Sequence, residues 1–211
     1  MLRLYDNYLS GNGYKPRLLL AHLGRTYERV EVDILKGETR TPEFLARNPN
    51  GRIPVLELED GTHLPESNAI LFHLAEGTRF LPSEPLGRAL TLQWMFFEQY
   101  SHEPCIAVAR HWIRHVEMTG AQRVQLPDKQ EGGRAALSVM EGHLRESDWF
   151  GEYSMNIADI ALYAYTHVAD EGGFDLAHYP AVRDWLGRVA EQPGHVPMNP
   201  APRGVVNAPG A

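Results

Sequence analysis

The chain of 211 residues is 43% hydrophobic and 22% charged and carries a formal net charge of -7, long enough for one large domain or two small ones with a core that needs no disulfide staples. The acidic balance argues against a nucleic-acid-binding stripe, which needs clustered Lys and Arg to displace counterions, and against attraction to an anionic membrane. A single cysteine, Cys105, allows neither an intramolecular disulfide nor a Cys-x-x-Cys redox pair.

The opening residues MLRLYDNYLS lack a basic patch followed by an apolar run, and no stretch reaches the ~18 apolar residues of a membrane span. A soluble, reduced, cytoplasmic protein is expected. Leu2 and Leu4 alternate with polar neighbours, as in a short strand. A loop from Asn7 to Gly13 follows, with Gly11 and Gly13 as breakers. Residues 15–24 then read as a helix, with Pro16 in its first turn and Gly24 at its stop. The run YERVEVD, with Val30 and Val32 on one face, is a second strand. Thr41-Pro42-Glu43 supplies an N-cap, a first-turn proline and an acid near the positive end of a helix dipole. That helix must end before Asn48-Pro49-Asn50-Gly51. Residues 53–65 read as a hairpin turning at Asp60-Gly61, a favoured two-residue turn, and residues 66–77 as a helix stopped by Gly77. The order β-α-β-α-β-β-α over residues 1–80 matches a thioredoxin-like α/β sandwich.

Residues 81–87 form a Pro-containing linker, and residues 88–195 contain no convincing strand and read as an all-α domain. Leu, Trp, Met and Phe recur at helical spacing from Leu86 to Met118, and Pro104 should kink or divide that helix. A further helix is expected to start after Gly132-Gly133. Asn156 and Asp159 read as a capping box, with Met155 and Ile160 at the positions of a hydrophobic staple. An amphipathic helix follows Pro180. The tail, residues 196–211, continues a Pro- and Gly-rich stretch that begins at Pro193 and is expected to be mobile or laid over the surface.

Four features could carry chemistry, and each has a plain structural explanation beside it. Ser10-Gly11-Asn12-Gly13 lies where the N-terminus of the first helix favours an anion, but these residues are also ordinary turn formers. Ile53-Pro54 opens a strand, where proline is tolerated; only about 5–6% of X–Pro bonds are cis, so a trans bond is expected on that ground. Glu66-Ser67 could hold an amino-acid headgroup at a helix N-terminus, or Ser67 could simply cap the helix. His111 and His115 stand four apart, a metal-chelating spacing, yet no third ligand is evident; a solvated helix face is expected and no metal is assigned. Cys105 reads as a small buried hydrophobe. The absence of G-x-S-x-G, P-loop and G-x-G-x-x-G motifs disfavours serine hydrolases, P-loop enzymes and dinucleotide binders.

The order of these features changes their weight. A hydroxyl loop after the first strand, then NPNGRIPVLELEDGTHLPESNAI, then a helical half containing NIADI, resembles the cytosolic glutathione transferases over residues 1–195. SGNGYK is also similar to the Thr-Pro-Asn-Gly loop of bacterial members noted for disulfide reduction. The resemblance, to a bacterial serine-type member, implies glutathione as co-substrate and Ser10 as the catalytic residue that hydrogen-bonds its sulfur, with Asn12 a second donor. It implies a cis-proline at Pro54, with the Ile53 backbone pairing with the cysteinyl unit. Glu66 and Ser67 would hold the γ-glutamyl ammonium and carboxylate. Thr39 stands where many relatives carry Gln or His for the glycine carboxylate, so Arg40 or Arg52 would serve instead. The second substrate would be a small hydrophobic electrophile against the helical half, where Tyr8, Phe97, Tyr100, His102 and Trp112 are candidate wall residues. A homodimer is implied, with neither nucleic acid nor membrane as partner. Conjugation leads the activities implied, ahead of glutathione-dependent disulfide reduction or peroxidation and of a non-catalytic binding protein.

Overall fold

The computed structural model describes residues 1–151, 154–199 and 203–207. The chain divides into two compact units, one gathering Met1–Glu76 with the segment from Gln192 onward, the other Gly77–Glu191.

The first unit runs β1 (Leu2–Asp6), α1 (Gly11–His22), β2 (Tyr27–Glu31), a 3-10 turn (Glu38–Arg40), α2 (Pro42–Arg47), β3 (Val55–Glu57), β4 (His63–Pro65) and α3 (Ser67–Ala75), and closes with β5 (Gly204–Val206). Its sheet has the order β4-β3-β1-β2-β5. β1 and β2 are parallel, with Leu2 opposite Tyr27, while β3 is antiparallel to β1 and places Leu56 opposite Leu4. This is the thioredoxin-like sandwich with one strand added. Leu4, Leu18, Leu19, Leu20, Val55, Leu56, Ile70 and Leu71 are fully buried and make its core.

Four expectations for this unit change. The helix at the Ser10 loop starts at Gly11 rather than Lys15, because Ser10 caps it: its Oγ accepts the Gly13 N–H at 3.1 Å. Gly13 is a packing requirement rather than a breaker, since a Cβ there would collide with Asp6 Oδ1. The Asp60-Gly61 turn is longer than a two-residue hairpin, since Glu57 pairs with His63 and the Gly61 N–H donates to Leu58 O. The last change is β5 itself, which lies beyond the linker where no strand was expected. Val206 pairs opposite Tyr27 and covers the open edge of β2.

Among the described residues the second unit carries only helices, with α4 (Pro85–Phe97), α5 (Glu103–Arg114), α6 (Gly120–Leu144), α7 (Ile157–Thr166) and α8 (Pro180–Ala190). A π-helical turn, Glu98–His102, joins α4 to α5 just before Pro104, the residue whose missing N–H divides the long helix. α6 starts twelve residues before Gly132, at the Thr119–Gln122 capping box, so the glycines lie inside it. They are there for packing: a Cβ at Gly132 would stand 2.6 Å from Cys105 Sγ, and one at Gly133 would strike the Phe174 ring. Cys105 is half-buried rather than buried. No helix among the described residues is long and apolar enough to cross a membrane.

Candidate functional site

α1 presents its N-terminus at Ser10. The Ser10 Oγ lends a lone pair to the Gly13 N–H, and its own hydroxyl hydrogen remains available to an acceptor placed at the helix end. The N–H groups and dipole of that end favour an anion there. The preceding loop is held by Asn7, whose carbonyl accepts from the Ser10 N–H at 2.9 Å and whose Oδ1 accepts from Leu9 N–H at 3.0 Å.

In the first turn of α1, Asn12 meets α3. The Ser67 hydroxyl lies 3.3 Å from Asn12 Oδ1 and donates to it. Ser67 is therefore not the cap of α3: the capping position is Glu66, which makes no side-chain cap bond, and Ser67 is the first helical residue. Glu66 is exposed and holds a positive φ of 71°, a conformation uncommon outside glycine. Sequence reasoning missed Lys15, which is fully buried and donates to Ser67 Oγ at 3.3 Å and to Asn68 Oδ1 at 3.4 Å. Its only sequence signal is a position three after Asn12, on the same helical face.

The Ile53–Pro54 bond is cis, so the expectation of a trans bond falls and that of the resemblance stands. Ile53 is half-buried and Pro54 buried. Arg40 and Arg52 are both exposed; Arg40 Nη1 donates to Asn50 O at 3.2 Å, beside Gly51, where a Cβ would lie 2.5 Å from that nitrogen. Thr39 is buried at 6% exposure, which leaves the two arginines as the accessible groups of this stretch. Hydrogen bonds thus join Asn12, Ser67 and Lys15 into one cluster, while Arg40 is tied to the Asn50 loop.

Beneath the Ser10 loop lies an ionic chain. Asp6 Oδ2 sits 2.9 Å from Arg17 Nε and 3.1 Å from Arg29 Nε, and Arg29 Nη2 reaches Glu31 Oε2 at 2.6 Å. Burial pushes the Asp6 carboxyl up, and the two guanidiniums oppose that. In the second unit, His111 and His115 are half-buried rather than on a solvated face, with ring centroids 6.1 Å apart. Burial holds both below the usual histidine range. Among the described residues no group of three or more potential metal ligands occurs. His102 is fully buried and within 2.9 Å of Thr166 Oγ1, which removes it from the candidate wall; Tyr100 is 89% exposed.

Two family models match the chain, those of the glutathione S-transferase N-terminal domain over residues 1–76 and C-terminal domain over residues 97–193. A solved glutathione S-transferase from Pseudomonas fluorescens Pf-5 is 55% identical, with a TM-score of 0.92, and the match covers 94% of this chain and 98% of that one. The maleylacetoacetate isomerase of Rhizobium meliloti (strain 1021) is 46% identical over 84% of this chain and 85% of its own. The disulfide-bond oxidoreductase YfcG of Escherichia coli (strain K12) is 34% identical over 86% of this chain and 87% of its own. Structural neighbours bind glutathione: Ure2p in complex with it is 26% identical, with a TM-score of 0.81 over 92% of this chain and 90% of that one. The curated Ure2 of Saccharomyces cerevisiae is longer, and the match spans 65% of it.

Proposed function

The chain belongs to the glutathione S-transferase family, and on that premise we propose that it joins the glutathione thiolate to a small hydrophobic electrophile, with Ser10 as the catalytic donor to the sulfur. The observation that carries this reading is the position of the Ser10 hydroxyl, at the capped N-terminus of α1 with its lone pair engaged by Gly13 and its hydrogen left to give. A thiol of pKa ~8.5 is mostly protonated at neutral pH, and lowering that value by about two units takes roughly 2.7 kcal/mol. One charge-assisted hydrogen bond contributes about 1.5–3 kcal/mol, so Ser10 and the helix end are of the right size together. The thiol proton passes to solvent. The sulfur then forms a bond to the electrophilic carbon, and either a leaving group departs with its electron pair or a conjugated double bond takes up a proton.

The rest of the tripeptide is assigned accordingly. The Ile53 main chain pairs with the cysteinyl unit, Glu66 takes the γ-glutamyl ammonium, and Ser67 takes its carboxylate through its main-chain N–H at the start of α3. Lys15 stands behind Ser67 as a buried cation favouring that carboxylate. Arg40 or Arg52 takes the glycine carboxylate. The protein works as a cytoplasmic homodimer. Lys15→Met is expected to raise KM for glutathione about tenfold or more while changing kcat much less, since a positive charge behind Ser67 favours the carboxylate of the non-reacting end equally before and during the reaction. Steady-state kinetics with varied glutathione checks this, and a KM unchanged within about twofold would remove Lys15 from the site.

Disulfide reduction is the second reading, favoured by the Asn12 amide. Its oxygen is held by the Ser67 hydroxyl, and its nitrogen is the kind of donor that can hold a sulfur. In that reaction two glutathione molecules are oxidised to their disulfide as a substrate disulfide is reduced to two thiols. Side-by-side assays with an aryl halide and a small disulfide separate the two: turnover of the disulfide alone, abolished by Asn12→Ala, would replace conjugation by reduction.

A further inference from the structure

A helix lying on one face of a sheet keeps a solvated outer stripe, yet every residue of α1 from Gly13 to Leu20 is buried. Tyr14 is 0% and Arg17 2% exposed, and both are polar groups that must find partners. Their partners come from the far end of the chain. The Tyr14 hydroxyl donates to Val196 O at 2.6 Å, Arg17 Nη1 to Met198 O at 2.9 Å, and His22 Nδ1 to Pro193 O at 2.9 Å. Gly194, at φ +85°, comes so close to α1 that a Cβ would stand 3.2 Å from His22 Cα. Met198 is itself buried. The stretch 193–199 is thus fastened to the helix that begins at Ser10.

It also reaches the Ser10 loop by two routes. The Asn199 amide, oriented to donate, lies 3.0 Å from Tyr8 O and 3.2 Å from Met198 O. The Tyr8 N–H donates at 3.2 Å to Glu31 Oε1 at the end of β2, so the two sides of Tyr8, two residues before Ser10, are held from different elements. The second route runs from Met198 O through Arg17 to Asp6, 2.9 Å from Arg17 Nε. Asp6 fills the space against Gly13, whose N–H holds the Ser10 hydroxyl oxygen.

We propose that residues 193–199 form a strap that positions Ser10, with Asn199 and the Met198 carbonyl as its working contacts. The proposal rests on the reading of Ser10 as the sulfur donor. A hydrogen bond weakens steeply as its angle and length depart from the optimum, and small displacements of a catalytic group lower rates disproportionately. The strap therefore acts on the reactivity of the bound thiol more than on glutathione binding.

Asn199 is exposed, so Asn199→Ala removes the clamp without opening the core. At saturating glutathione and about pH 6.5 it is expected to lower kcat about three- to tenfold, leave KM for glutathione within about twofold, and move the rising limb of the pH profile upward. Asn199→Gln, which keeps a donor, is expected to recover part of the loss. The loss should disappear in a Ser10→Ala background, because only an effect exerted through Ser10 is non-additive with it. An equal loss in both backgrounds, or a fall in Tm with an unmoved pH profile, would overturn the strap's positioning role. Amide hydrogen exchange at Leu9 and Ser10 without glutathione tests the clamp independently of the chemistry. Faster exchange in Asn199→Ala supports it, and unchanged exchange overturns it. An undiminished rate in Ser10→Ala alone would defeat the reading of Ser10, while the exchange result still judges the strap.

Discussion

Ser10→Ala is expected to lower kcat/KM for conjugation about tenfold to a hundredfold at neutral pH, the value of one charge-assisted hydrogen bond to a developing thiolate. The loss should shrink as the pH rises past the pKa of free glutathione, ~8.5, where the thiol ionises without help. The same substitution removes the cap of α1, since the Ser10 Oγ accepts from Gly13 N–H, and costs about 1 kcal/mol of stability. Ser10→Asp separates the two effects. It restores a capping acceptor but sets a negative charge against the sulfur, so it should regain stability and remain inactive. Stopped-flow and steady-state rates across the pH range, with Tm for each variant, check both parts. A Ser10→Ala enzyme with an unchanged pH profile would take the sulfur contact away from this residue.

Asp159→Ala is expected to destabilise the helical unit by roughly 3–5 kcal/mol, a large share of the ~5–15 kcal/mol that holds a domain folded. Asp159 is fully buried, and its oxygens accept from Phe150 N–H, Trp185 Nε1–H and Asn156 N–H, each at 2.9 Å. Asn156 in turn accepts from Ala158 N–H at 2.7 Å and donates to Thr91 Oγ1 at 2.9 Å. Removing the carboxyl leaves at least three enclosed donors unpaired, at about 1–3 kcal/mol each, partly offset by the burial cost that disappears with it. That burial also pushes the Asp159 carboxyl up to about 6 from 3.8. A raised carboxyl means that the folded state binds the proton more tightly than the unfolded chain. Its contribution is therefore fullest below about pH 4 and declines as the pH rises through about 6. The stability gap between wild type and Asp159→Ala should then be wider near pH 4.5 than near pH 7.5, roughly the two sides of that titration. Calorimetry of both proteins at the two values measures it, and a gap that widens upward would mean the carboxylate is held charged.

Local codes explain what the sequence made legible. β1 and β2 follow from alternation, α2 from Thr41-Pro42, and α7 from Asn156 and Asp159, because strand period and helix capping are written within a few residues. What escaped depends on distant partners. Gly13, Gly132 and Gly133 look like helix breakers, yet each is set by a side chain elsewhere, Asp6, Cys105 and Phe174 respectively. β5 is three residues with no period to read, and its partner β2 lies far back in the chain. In the candidate site, the order of the motifs singles out Ser10, Ile53-Pro54 and Glu66-Ser67, while the cis form of the Ile53–Pro54 bond comes only from the family resemblance, since X–Pro statistics alone favour trans. Lys15 could not be singled out, since a lysine in the first turns of a helix normally reaches solvent, and only the approach of α3 encloses it. The ties from 193–199 to α1 were equally hidden, because main-chain carbonyls carry no residue code.

The central claim is that this site makes a thiolate of bound glutathione at neutral pH. Ultraviolet difference absorbance of the glutathione complex, titrated across pH, measures that directly. A bound thiol with a pKa near 6.5, about two units below the free value, is the result the account predicts. A complex that binds glutathione but ionises it at the free value would contradict it.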